Sequence, residues 1–463
     1  MALSRLERVQ VWLLKAVTGV LVIVFRFFSP RRPALSGKKL PPVRNPLLLM
    51  SATQLAKKIR RKEVSSVEVV QAYIDRIQEV NPFVNAVVKD RFAAALQEAA
   101  QVDKLIEEET GGEEVLEDRL PLLGVPLSVK ESYALQGMPF TTGLVSRRGI
   151  VATVDAPPVI EVFVYDSVLL TEKNTFPLGV VSCENQYPPS SGRQEEYLSS
   201  GPMCRYAEDL LPMLKIMAGP RVNMLSLNTK VDLKKLRFFT IPHDGGSPLT
   251  TPVSKELVDI QRKVAERLEA DLGVKVQEVH FPELRYSFEI WDAYMALPDK
   301  EGKPPQMFAE LMGEPGRPAW PLWELLKWMI GRSDHTLAAI SKGVGLIEMT
   351  HMSKTPSSII QMKEKLQKEV DELLGADGVF LYPSHPKVAP KHHHPLLRPF
   401  DFSYTGIINI LGLPVTQCPL GVGEEGLPLG VQVVAGKLQD HLTLAVALHL
   451  EKTFGGWKDP GAN

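Results

Sequence analysis

In the stretch LPLLGVPLSVKES, residues 120–132, a lysine closes an apolar run. Leu123, Val125, Leu127 and Val129 precede Lys130, with Gly124 and Pro126 as punctuation. Alternation predicts a strand over Val125–Val129 in which Leu127 and Val129 face one way, Ser128 and Lys130 the other. An ammonium group at such a strand end has two readings. Its stem can snorkel from apolar surface to water. Or the lysine can be held neutral and serve as a base. An ordinary lysine titrates near 10.4, and a base for neutral pH needs roughly 7 to 8, so that role requires burial away from other charges. A base also needs a nucleophile to deprotonate.

Other chemistries are disfavoured by the residue types. Cys183, Cys204 and Cys418 are far apart in sequence and form no Cys-x-x-Cys pair, so no disulfide framework or zinc site is indicated. His385, His392, His393 and His394 invite a metal reading. Three adjacent histidines cannot all face one ion, and Pro386, Pro390 and Pro395 mark an extended loop. No metal or cofactor is expected. Lys plus Arg total 53 and Asp plus Glu 54 in 463 residues, so no net basic field exists to hold nucleic acid.

The elements that would position Lys130 follow from periodicity. Ser51 with Gln54, and Ser65 with Glu68, are capping-box starts of two helices, the second expected to end at Asn81-Pro82. A third helix is predicted over about 90–108. Strands are predicted at 236–242, 273–282 and 378–383, and helices at 254–271, 361–374 and 404–412. A strand pair then spans LPVTQCPLG and GLPLGVQVVAG, followed by a last helix over 440–454. Strands alternating with helices predict an α/β domain built on a twisted mixed sheet flanked by helices.

Residues 11–28 read VWLLKAVTGVLVIVFRFF, a run long enough to cross a hydrocarbon core, with basic residues on both sides. A retained membrane anchor over 9–29 is expected, with a cleaved signal as the alternative. The charge bias puts the bulk of the chain weakly on the cytoplasmic side of an endomembrane or lipid droplet. Residues 30–46 read as a linker, and 47–463 as the globular domain. Trp291, Trp320, Trp323 and Trp328 fall within the 291–330 region. They belong to a core helix or to a cap that touches lipid and guides an apolar substrate.

Long stretches carry a resemblance. SATQLAKKIRRKEVSSVEVVQAYIDRIQEVNPFVNAVV (51–88), LGVPLSVKESYALQGMPFTTG (123–143), GPMCRYAEDLLPMLKIMAGP (201–220), GVFLYPSHPKVAPKHH and FSYTGIINILGLPVTQCPLG resemble the amidase signature family. Within it they are most similar to the membrane-anchored fatty-acid amide hydrolases. The resemblance implies a Ser-Ser-Lys hydrolase of lipid amides. In it a neutral buried lysine, matched here by Lys130, acts through a bridging serine on a nucleophilic serine beside an oxyanion hole. It implies no metal and no cofactor.

The chain departs from the family pattern where the chemistry should be. The Gly-Gly-Ser-Ser-Gly-Gly stretch and the Gly-(Ser/Thr)-Asp-Ile-Gly-Gly-Ser stretch are both absent. The resemblance is ragged from about 160 to 200 and resumes at Gly201, with roughly 70 residues of core unaccounted for. Ser190 and Ser191 lack the flanking glycines and read as a polar loop, at most relics of the site. Asp244-Gly245-Gly246-Ser247 imitates the nucleophile motif but reads as a turn. The chain is therefore expected to be inactive, as a shortened isoform or gene model interrupted around 160–200. The alternative is a non-catalytic membrane-anchored protein that binds lipid amides. Oligomeric state is left open.

Overall fold

A computed structural model describes residues 39–164, 167–168, 180–314, 316–343, 357–391 and 394–462. An N-terminal layer consists of helices α1 (Ala52–Arg60), α2 (Ser66–Val84), α3 (Phe92–Glu108) and α4 (Gly112–Arg119). Ser65 starts α2 with a complete capping box to Glu68. That helix does not stop at Asn81-Pro82. It runs through Pro82 to Asn85, whose left-handed conformation ends it. The Asn81 side chain bonds both the N–H and the C=O of Val87, tying down the chain beyond. Leu55, Ile59, Val69, Val102 and Ile106 are buried together, and Leu123 and Val125 complete that cluster.

The expected five-residue strand shrinks to β1 (Val125–Pro126), paired in parallel with β2 (Ser167–Val168) after helix α5 (Pro157–Val164). Residues 127–130 have no regular structure. Helix α6 (Leu210–Ala218) packs on Val180 and Val181.

The remaining elements form one layered unit. They are β3 (Arg237–Thr240), α7 (Lys255–Leu272), β4 (Val276–Glu278), α8 (Ser287–Met295), α9 (Phe308–Met312), α10 (Pro321–Met329), α11 (Leu337–Gly343), α12 (Ser357–Leu374), β5 (Gly378–Tyr382), α13 (Ser403–Leu411), β6 (Val415–Val422), β7 (Pro428–Ala435) and α14 (Asp440–Phe454). The five strands lie in the order β4-β3-β5-β7-β6, parallel from β4 to β5 and antiparallel from β5 to β6. Period-two alternation sends Phe239, Phe380, Tyr382 and Val434 to a face covered by α8, α12 and α13. Phe238, Val379, Leu381, Val431 and Val433 go to the face covered by α7 and α14. Burial on both faces explains why GVFLY reads as a continuous apolar run.

The expectation of a transmembrane helix, and with it of a single-pass membrane protein, is corrected. No helix among the described residues is long and apolar enough to cross a membrane. The longest, the 19-residue α2, carries Glu68, Asp75, Arg76 and Glu79 and buries only one face. Residues 9–29 lie outside the described residues. The fold class that stands is the α/β domain alone.

Candidate functional site

The segment carrying Lys130 is held firmly at its start. Leu122, Leu123 and Val125 are buried. Gly124 adopts φ +75°, and its carbonyl accepts from the Ser66 hydroxyl at 2.9 Å. A Cβ at Gly124 would lie 2.8 Å from that hydroxyl oxygen, so only glycine fits. Past β1 the enclosure ends. Leu127, Ser128 and Val129 are half-buried and Lys130 is exposed. Its ammonium makes no hydrogen bond or ion pair with a described residue. Among the described residues, none encloses its ammonium in an apolar pocket.

The chain beyond Lys130 is tightly stitched. Glu131 accepts from the backbone N–H and hydroxyl of Thr141, at 2.6 and 2.7 Å, and from the Thr142 N–H, which closes the 131–142 loop. The Tyr187 N–H donates to the Ser132 carbonyl at 2.8 Å, and the Ala134 N–H donates to Asn185 at 3.0 Å. The Arg147 guanidinium sits 3.6 Å from the centroid of the Tyr187 ring. The Tyr133 hydroxyl meets that of Ser200, which in turn lies 3.4 Å from the Cys183 sulfur. Burial pushes the Tyr133 phenol up from its ordinary value, with the Ser200 contact opposing. This knot of Tyr133, Cys183 and Ser200 was invisible to sequence reasoning, since its members lie as much as 67 residues apart and share no motif.

The candidate serines do not converge on Lys130. The Ser191 hydroxyl accepts from the Gln306 N–H at 2.8 Å, and Gln194 Oε1 accepts from the Ser191 N–H at 3.3 Å. These are the contacts of a loop joining 190–194 to 305–306. Gly192 continues it at φ +59°, where a Cβ would strike the Leu297 carbonyl at 2.5 Å. Ser190 is half-buried and takes no part in any hydrogen bond with Lys130. Ser247 belongs to a turn: Asp244 Oδ1 accepts from the N–H groups of Gly246 and Ser247, at 3.0 and 3.4 Å, and Oδ2 accepts from the Thr250 hydroxyl. His385 Nδ1 is taken up by Lys387 within its own turn. His394 lies exposed in a short 3-10 turn, while His392 and His393 lie outside the described residues.

A model of the amidase family matches residues 68–174 and 177–444. The chain belongs to the amidase signature family, a family of amidase-type hydrolases. It is 55% identical to fatty-acid amide hydrolase 2-A of Danio rerio, over 100% of this chain and 99% of that protein. It is 42% identical to fatty-acid amide hydrolase 2 of Homo sapiens, over 100% of both. Among solved structures it superposes on a fatty acid amide hydrolase with TM-score 0.64 at 18% identity, covering 90% of this chain and 86% of that one. A bacterial aryl acylamidase of the same family superposes with TM-score 0.63 at 18% identity, covering 90% of this chain and 100% of that one. These superpositions bear on the fold. The Danio rerio alignment occupies 538 positions against the 463 residues of this chain, leaving about 75 positions without a residue here.

Proposed function

We propose that this amidase-family chain derives from a hydrolase of fatty-acid amides and does not itself turn amides over. The observation that carries the reading is Lys130, exposed and without a serine, in a chain that lacks both glycine-serine stretches of the family. The gap of about 75 positions against a full-length relative supports it. So does the break in the family match at 174–177, inside the stretch where the resemblance turns ragged. In the proposed parent reaction Lys130 is the base, acting through a bridging serine on a nucleophilic serine. Loss of one oxyanion donor commonly costs about 10² to 10³ in rate, and loss of the nucleophile more.

What the chain retains suits binding of a lipid amide at a lipid surface. Helix α10 turns its apolar side chains outward: Trp320 at its cap is 78% exposed, Leu322 65%, Trp323 59%, Leu326 54% and Ile330 67%. Its carboxylate points inward, with Glu324 accepting from Ser333 at 2.7 Å and pairing with Lys327. A helix whose apolar face is its outer one suits a membrane interface, where tryptophan is favoured. Trp291 instead packs in the core, its ring 4.6 Å from that of Phe402.

The test is chemical. The purified chain is incubated with oleamide and with a fluorophosphonate serine probe, beside the Danio rerio relative. No ammonia release and no labelling are expected from this chain. Turnover that vanishes in Lys130→Ala, or labelling at Ser190, Ser191 or Ser247, would overturn the reading.

A further inference from the structure

A cavity lies between the N-terminal helices and the C-terminal tail, without Lys130 in its lining. Its volume is about 370 Å³. Leu40, Val43, Ile77, Val80, Leu122 and Trp457 form much of its wall. Val125 and Pro126 reach it, but none of residues 127–130 does. A cavity of this size and lining is within the range that holds small organic ligands.

Its polar groups define the ligand. Two guanidinium groups, Arg76 and Arg205, and two carboxylates, Asp209 and Asp459, line it, so the wall carries no net charge. Three of the four are already engaged. Asp209 accepts from the N–H groups of Ala52 and Thr53 and from the Thr53 hydroxyl. Asp459 accepts from the N–H groups of Val43 and Gly461. Arg76 pairs with Glu79 at 2.7 Å and donates to the Pro41 carbonyl. Arg205 differs. It donates to one acceptor, the Leu48 carbonyl, and its guanidinium carbon lies 4.4 Å from the centroid of the Trp457 ring. A guanidinium has five N–H groups, so most of its donors remain for a ligand. No carboxylate lies within ion-pair distance of it among the described residues.

We propose that this cavity binds an uncharged single-chain amphiphile whose head is a carbonyl group, with the alkyl chain against α2 and the carbonyl oxygen accepting from Arg205. A neutral head fits the balanced wall, because a carboxylate would meet Asp209 and Asp459, and an ammonium head would meet both arginines. Lys130 is not among the residues lining this site, and the proposal does not depend on the chain's lacking activity.

Equilibrium dialysis with labelled decanamide and 1-decanoylglycerol tests it, with decanoate and decyltrimethylammonium as charged comparisons. Saturable binding at one site is expected for the two neutral probes, and weaker binding for the charged ones. Ile77→Trp fills the cavity from α2 and should weaken binding by more than tenfold. Leu40→Trp fills it from a non-helical segment, which keeps the test sound if the helix variant unfolds. Arg205→Leu should cost about tenfold, the value of one hydrogen bond, and Lys130→Ala should change nothing. Decanoate binding more tightly than decanamide, indifference to both tryptophan variants, or loss of binding in Lys130→Ala would each overturn the proposal. Ammonia release from decanamide would instead count against the inactivity reading alone.

Discussion

Asp440 opens α14 with its side chain fully buried and, among the described residues, neither carboxylate oxygen within reach of another residue's donor. Burial pushes its carboxyl up to about 7 from an ordinary 3.8, only partly offset by its own backbone N–H. An acid raised in the native state binds a proton there that the unfolded chain has already released. Between about pH 4 and pH 7 stability therefore falls as pH rises, by on the order of 4 kcal/mol at the top of the window. Asp440→Asn imitates the protonated form. It should leave urea unfolding near pH 4 almost unchanged and raise the midpoint clearly at pH 8. The same shift at both pH values would mean that the carboxyl does not titrate as described. Lys130 shows the opposite lesson. Its place at the end of an apolar run was legible, but its surroundings are set by whichever segments fold over it, and those are distant in sequence.

At the scale of elements, legibility followed local physics. The capping box of α2 and the bounds of α14 depend on residues within one turn, and the sequence predicted both. Asn81-Pro82 misled because a side-chain bond to Val87 supports the helix past the proline. The strand through Val129 failed for another reason: a strand exists only where a partner pairs with it, and among the described residues only Ser167–Val168 does so. Helix α10 carries Trp323 and Trp328 of the region read as a core helix or a lipid-touching cap, and its outward face was not legible, since periodicity does not say which side is buried. That face yields a prediction. Trp320→Ser with Trp323→Ser should lower binding to neutral phosphatidylcholine vesicles by more than tenfold, because two large interfacial side chains are lost. Unchanged co-sedimentation with vesicles would show that the face has another role.

The whole molecule divides its stability unevenly. The five-stranded sheet from β3 to β7 is covered on both faces mainly by helices of its own region, and Tyr197, from the stretch around 160–200, joins the core on one face. The Lys130 region is different. It is closed by loops, Glu131 on Thr141 and Tyr187 on Ser132, and these leave the lysine in solvent. If the positions lacking here supply the missing enclosure and both serine stretches, restoring them should restore chemistry without rebuilding the rest. The corresponding segment of the Danio rerio relative, about 75 residues, would be inserted between 174 and 177, where the family match breaks. The grafted chain should hydrolyse oleamide and label with a fluorophosphonate. Lys130→Ala in the graft should abolish both while leaving the melting temperature within a few degrees. Such a result would show that Lys130 is kept in a position fit for use and lacks only its partners. A graft that folds, with an unaltered far-ultraviolet spectrum and cooperative melting, yet stays inert would place the defect elsewhere. The loop from Lys130 to Thr142 would then be the next part to exchange, since its bonds to 185–187 hold the lysine where it is.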